Sequence, residues 1–228
     1  MGKVENVIRF YYLATDLKYK IRSAWDDVHW GILGDRRESV AEHSFGTCIL
    51  AIGIASEFDL DIDMNKVIKM LSIHEIGEVL IPDYTPFDNI TPEEKARIEH
   101  IAMREVLGKL DDSEELYALL LEFDEKKTDE AKFAFLCDKL ELVLQAKAYQ
   151  DKGLQRDLSD QEGNIVMGFT SIIKMIENGA RTAFEVFYEN DESKFEHDPV
   201  FQELFSYIKD HSVDVEGIKE DFKKRMSQ

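Results

Sequence analysis

The sequence predicts an all-α protein of roughly eight to ten helices. Three observations carry this. No segment alternates apolar and polar residues with a period of two and β-branched enrichment. Apolar residues instead recur at three- and four-residue spacing along most of the 228 residues. Helix starts are marked by Asp63, by Thr91-Pro92-Glu93-Glu94, by Thr128 and by Asp198-Pro199, each ahead of an apolar stripe. No internal repeat of about 20 to 50 residues is apparent.

Val4, Val7, Ile8, Tyr11 and Tyr12 define a first helix to about Lys20. The segment from Ile21 to Ser39 has no clear period and reads as a long structured loop. It concentrates Arg22, Trp25, His29, Trp30, Arg36 and Arg37, with both tryptophans of the chain. A helix follows from Glu38 to Phe58, with His43 near its start. Asp63 caps the next helix, expected to run through His74, Glu75 and Glu78 to about Leu80, with Pro82, Asp83 and Pro86 in the exit loop. Thr91 opens a helix that ends at Gly108, and the acidic stretch from Asp111 to Glu125 reads as a short helix with a solvated face. Thr128 opens a long helix whose stripe of Phe133, Leu136, Cys137, Leu140, Val143, Leu144 and Ala148 includes Asp138 within the apolar pattern. Further helices are expected over Val166–Tyr188, weakened at Gly179, from Pro199 through Ile208, and over Val213–Met226. We expect residues 1–155 to form a core, with residues 156–228 packed on the same domain.

Composition narrows the function. The net charge of −19, from 47 acidic against 28 basic residues, repels nucleic acid polymers and anionic lipid. A small anionic substrate needs only a few local cations and remains compatible. Cys48 and Cys137 form no CxxC pair and lie in apolar helical patterns, which suits buried thiols in a reduced, cytoplasmic protein. The longest apolar run, Cys48 to Ala55, is far short of the roughly 20 residues a membrane span needs. The N-terminus shows no basic-then-apolar signal pattern.

The chemistry concentrates in Leu71–Phe87. His74, Glu75, Glu78 and Asp83 are four groups able to bind metal or move protons, set among apolar residues. A zinc-protease helix needs H-E-x-x-H, and here position 78 is Glu. Paired E-x-x-H motifs of di-iron bundles are absent, since none of the six histidines has a Glu three residues before it. Neither a P-loop nor a Rossmann fingerprint occurs. What remains is His43 on one helix, His74-Glu75 on the next core helix and Asp138 on a later one. Two imidazoles and two carboxylates suit a divalent metal of the Mn, Fe, Co or Zn type, with positions open for water and substrate.

The order H…H-acid…D on successive helices resembles the HD-domain superfamily of metal-dependent phosphohydrolases. The local words resemble its 5′-deoxynucleotidase branch: Arg22-Ser-Ala-Trp25, Glu38-Ser-Val-Ala-Glu-His43, His74-Glu-Ile-Gly-Glu-Val-Leu80 with Asp83 and Pro86, Glu93-Glu-Lys-Ala-Arg-Ile-Glu99, and Asp138-Lys-Leu-Glu141 with Gln145-Ala146. The resemblance implies an HD-domain-like helical bundle and hydrolysis of 2′-deoxynucleoside 5′-monophosphates to deoxynucleoside and phosphate. It implies a divalent metal (Mn, Co, Fe, Zn or Mg) held by His43, His74, Glu75 and Asp138. Glu78 would orient or deprotonate the attacking water, and Asp83 would act near the sugar or leaving oxygen. Arg22 would contact phosphate and Trp25 would pack near the sugar or base. Lys139 is expected to pair with a neighbouring carboxylate. A homodimer is also implied.

One residue departs from the family pattern. Glu75 stands where the superfamily carries Asp, one methylene shorter. That leaves three readings: an active enzyme with a relaxed site, a changed metal preference, or a silent nucleotide-binding domain. Retention of Arg22, Glu78, Asp83 and Asp138 favours activity. The alternatives are an HD phosphohydrolase acting on another nucleotide or phosphate ester, a catalytically silent nucleotide or metal sensor, and a helical interaction module without metal. His29, His100, His197 and His211 read as surface residues or helix-end partners rather than ligands.

Overall fold

The computed structural model describes residues 2–161 and 163–227. Among them are ten α-helices: α1 (Lys3–Asp16), α2 (Val40–Glu57), α3 (Met64–Ile73), α4 (Pro92–Leu107), α5 (Ser113–Glu125), α6 (Asp129–Asp151), α7 (Thr170–Glu177), α8 (Ala183–Phe195), α9 (Pro199–Ile208) and α10 (Val215–Met226). No strand occurs among the described residues. The one extended pairing there is an isolated antiparallel bridge between Ile21 and Ser39. Among the described residues no helix is long and apolar enough to cross a membrane.

The long helix α6 is the axis of the fold. It packs against α2, α3, α5, α8 and α9. Ala131, Phe133, Ala134, Cys137, Leu140, Val143 and Ala146 are buried along it. Each large apolar side chain removed from water in this way contributes about 1.5–3 kcal/mol. That burial fixes α6 strongly enough to carry two buried acids, Asp138 and Glu141, into the same core. Helix α2 meets α6 with its first turn ordered by a capping box, in which Ser39 Oγ accepts from Glu42 N–H while the Glu42 carboxylate accepts from Ser39 N–H.

Two expected helices are interrupted, for identifiable reasons. Helix α3 stops at Ile73 rather than near Leu80, and Ile76–Val79 continue as a 3₁₀ turn. Gly77 in that turn lies directly on α4. A Cβ there would meet Met103 Cγ at 3.2 Å and the Glu99 carbonyl at 3.3 Å. The carbonyls of Glu78 and Ile81 are taken by the Lys20 ammonium, arriving from the end of the first helical segment. The second break is at Gly179, where φ is +117°, a conformation open to glycine and strained for other residues. It separates α7 from α8, and a capping box between Thr182 and Glu185 starts α8 afresh.

The C-terminal helices share the main core. Phe184, Phe195, Phe201 and Phe205 of α8 and α9 pack with Phe133, Leu140 and Val143 of α6. A second apolar cluster gathers Trp30, Leu158, Val166, Ile172 and Val186. Helices α1 and α10 lie outside, with no buried residue of their own.

Candidate active site

Three helices converge on one point. His43 sits in the first turn of α2, His74 caps the C-terminus of α3 with Glu75 next to it, and Asp138 projects from the middle of α6. One donor atom from each of these four side chains lies within 4.8 Å of the others. His43 Nε2 is 3.0 Å from Asp138 Oδ1 and 3.9 Å from Glu75 Oε1. His74 Nε2 is 3.5 Å from Glu75 Oε1 and 3.8 Å from Asp138 Oδ1. The extra methylene of Glu75 therefore does not take it out of the cluster.

The donor set fits a divalent cation. His74 Nδ1 is committed to the Leu71 carbonyl at 2.8 Å, which fixes the tautomer with a lone pair on Nε2. That Nε2 is buried and has no partner. Glu78 Oε2 and Arg22 Nη1 are likewise buried without partners. Orphaned groups of both signs in one place are costly unless a ligand completes them.

The electrostatics follow from this crowding. Burial and Arg22 oppose a charge on His43. The charge of Glu141 and the hydrogen bonds that His43 donates to Asp138 and Glu141 outweigh them and push its pKa up to about 9 in the metal-free protein. For Glu75, burial works against ionisation, but the neighbouring His74 ring and the Arg22 guanidinium hold it down at about 2. Asp138 is also buried, yet Lys139, His43 and His74 keep it well below the usual carboxylate range. Lys139 Nζ is 2.7 Å from Asp138 Oδ2. Glu78 behaves oppositely: burial, then the charges of Glu75 and Asp83, raise it well above an ordinary glutamate. Two carboxyls three residues apart are thus driven in opposite directions.

The Arg22 loop is anchored beside the cluster. Arg22 N–H donates to the Glu38 carbonyl at 3.1 Å, and Ser23 N–H donates to Asp83 Oδ2 at 2.8 Å. These bonds tie the loop to the start of α2 and to the exit loop after Glu78. A cavity of about 390 Å³ opens there. Arg22, Glu75, Glu78, Asp83 and Lys139 line it together with Trp30, Phe87, Phe169 and Phe187, and α8 contributes Asn190, Asp191 and Lys194. Its size and mixed apolar and polar wall are those of a small-ligand site.

Trp25 stands behind this wall rather than in it. It is fully buried, packs edge-on against Tyr149 and Phe187, and donates its indole N–H to Glu38 Oε2 at 2.7 Å. The tryptophan in the cavity is Trp30. His29, read from sequence as a surface residue or helix-end partner rather than a ligand, is buried. It joins Asp26, at 2.7 Å from Nδ1, to Thr85 of the exit loop, at 3.3 Å from Nε2.

The HD domain model of known families matches residues 14–174, which include every residue of the cluster. The chain belongs to the HD-domain phosphohydrolase family. It is 30% identical over 208 residues to a Dictyostelium discoideum protein named 5′-deoxynucleotidase HDDC2, covering 88% of this chain and 95% of that one. A Homo sapiens protein of the same name is 30% identical, over 64% of this chain and 69% of its own. Among solved structures, a Pyrococcus horikoshii protein superposes with a TM-score of 0.59 at 22% identity, over 89% of this chain and 99% of that one, a likeness of fold.

Within this HD-domain chain, sequence reasoning names Glu141 only as part of the word Asp138-Lys-Leu-Glu141 and gives it no role. Its Oε2 is 2.5 Å from His43 Nδ1, so it aims His43 Nε2 at the cluster from behind. The signal was present: Glu141 follows Asp138 by one turn inside the same apolar stripe. Gly46 makes room for it, since a Cβ there would come within 2.5 Å of Glu141 Oε1. Glu141→Ala is expected to weaken divalent-metal affinity about 10–100-fold, measured by calorimetry. In the wild type the proton on His43 Nε2 must leave before a cation binds, so apparent affinity should rise with pH up to about 9. Glu141→Ala should end that rise at a lower pH, because a partner that stabilises the imidazolium is gone. Unchanged affinity and pH dependence would remove Glu141 from the site.

Proposed function

We propose that this protein is a metal-dependent phosphomonoesterase that hydrolyses 2′-deoxynucleoside 5′-monophosphates to deoxynucleoside and phosphate. The observation that carries the reading is the His43–His74–Glu75–Asp138 cluster, whose Glu75 lines a cavity together with Arg22, Glu78 and an aromatic wall. The relatives named 5′-deoxynucleotidase support the substrate class. A divalent cation held by the four side chains would act as a Lewis acid toward the phosphate ester and make water more acidic.

The remaining work falls to this chain's own groups. Arg22 offers a guanidinium fork to the phosphate, with Nη1 free to donate. Glu78 takes a proton from the attacking water as the P–O ester bond breaks. The departing 5′-oxygen leaves as the nucleoside hydroxyl once protonated, with Asp83 acting on that side. Trp30, Phe87, Phe169 and Phe187 exclude water around the nucleoside. Trp25 serves the site through Glu38 and the Arg22 loop rather than by touching substrate.

The test is phosphate release from a panel of deoxynucleoside and ribonucleoside monophosphates with Mn, Co, Fe, Zn or Mg. Turnover should be highest with the deoxynucleotides. Absence of turnover with every metal would end the proposal, and a preference for triphosphates, cyclic nucleotides or other esters would replace its substrate. Homodimerisation belongs to the same reading. The stripe Val215, Ile218, Phe222 and Met226 on α10 is exposed, and so are Val4, Ile8 and Tyr12 on α1. A monomeric mass by light scattering would count against the dimer.

A further inference from the structure

Helix α8 carries a polar group that nothing above employs. Asp191 is only 1% exposed, on a helix otherwise buried through Ala183, Phe184, Val186 and Phe195. Its Oδ1 accepts from Asn190 Nδ2 at 2.8 Å and from Lys194 Nζ at 2.6 Å. Its Oδ2 is buried and has no donor. A carboxylate oxygen removed from water without a hydrogen bond carries a heavy penalty, and native proteins rarely leave one. The missing donor therefore points to a ligand. Asn190, Asp191 and Lys194 line the same cavity as Arg22, Glu75 and Glu78.

The chemistry of the donor can be narrowed. Phosphate is excluded, because a second anion beside Asp191 would be repelled, and the Arg22 guanidinium that the nucleotidase reading assigns to phosphate lies on a different segment of the cavity wall. The ligand group must donate to a single oxygen while meeting an ammonium, since Oδ1 is already saturated and Lys194 has N–H groups to spare. A nucleobase edge has this form: an N–H next to a ring nitrogen or carbonyl that can accept. The aromatic side chains of the cavity suit the faces of the same base.

We propose that Asn190, Asp191 and Lys194 form a base-recognition subsite, in which Asp191 Oδ2 accepts a hydrogen bond from a nucleobase N–H and Lys194 donates to the neighbouring acceptor. This rests on the nucleotidase reading and adds to it a specificity element from the C-terminal helices. Asp191→Asn keeps the shape but replaces one acceptor with an amide.

The test compares kcat/KM for the four deoxynucleoside monophosphates with that for 2-deoxyribose 5-phosphate, which has no base. Asp191→Asn should lower the ratio of nucleotide to abasic substrate at least tenfold. It should also weaken deoxynucleoside binding, read by quenching of tryptophan fluorescence with Trp30 in the cavity wall. Equal losses on both substrates would assign Asp191 to the sugar or to the fold and overturn the proposal, as would an unchanged ratio. A wild type that binds deoxynucleosides but hydrolyses no monophosphate would instead defeat the nucleotidase reading, and the binding comparison would still decide on Asp191. Lys194→Met serves where Asp191→Asn fails to fold, with the same ratio expected to fall.

Discussion

Asp138→Asn is expected to empty the metal centre and to lower kcat/KM on the order of 10³-fold or more. Asp138 is the hub of the cluster. Its Oδ1 lies 3.0 Å from His43 Nε2 and 3.8 Å from His74 Nε2, while its Oδ2 pairs with Lys139. The amide keeps the shape and one acceptor but removes the negative charge that a divalent cation requires. Two readouts separate loss of metal from loss of fold. Elemental analysis should find little bound metal in the variant. Added metal should also stop stabilising it. A ligand at a hundredfold excess over its Kd stabilises the wild type by about 2.7 kcal/mol, worth roughly 5–10 °C in Tm at this chain length. That increment should vanish in Asp138→Asn. A variant that retains both metal and the increment would show that the four-residue cluster is not the centre.

Glu78→Gln is expected to leave metal content unchanged and to lower kcat about 10²–10⁴-fold, the usual contribution of a positioned acid-base group. Glu78 is outside the set of four donors that converge, yet it lines the cavity beside Glu75 of that set. Burial and the neighbouring charges of Glu75 and Asp83 raise its pKa well above an ordinary glutamate. The sign of the pH effect follows. If Glu78 is the base, activity in the wild type rises as pH climbs through that raised value and the carboxyl loses its proton. Glu78→Gln should abolish that limb of the pH profile. A variant with full turnover, or one with the limb intact, would transfer the role to Asp83.

The local backbone shows how a glutamate at position 75 reaches the cluster. Helix α3 ends one residue before His74, so Glu75 leaves a turn rather than a regular helix. From there its longer side chain reaches within 3.5 Å of His74 Nε2. A shorter side chain would start from the same backbone and stop about one carbon–carbon bond, ~1.5 Å, further back.

Much of this protein was legible in one dimension. The helices over α4, α5, α6 and α9 are set by local chemistry: caps at Thr91, Thr128 and Asp198, and apolar residues at helical spacing. The identities of His43, His74, Glu75 and Asp138 stand out because acids and imidazoles in apolar stripes need partners. That they converge within 4.8 Å was implied only by family resemblance. What tertiary structure alone decided concerns side chains whose surroundings come from distant segments. Gly77 against α4 and Lys20 on the Glu78 carbonyl end α3 early, and neither contact is visible in the run from Leu71 to Phe87. Trp25 and Trp30 share one loop, yet Tyr149 and Phe187 take Trp25 into the core while Trp30 faces the cavity. Asp191 reads in sequence as one more acid in a protein with 47 of them. Only the packing of α8 against α6 buries it and gives it a cavity to serve. Local propensity acts over a few residues, whereas burial depends on what the rest of the chain brings, and the chemistry of a site is set by burial.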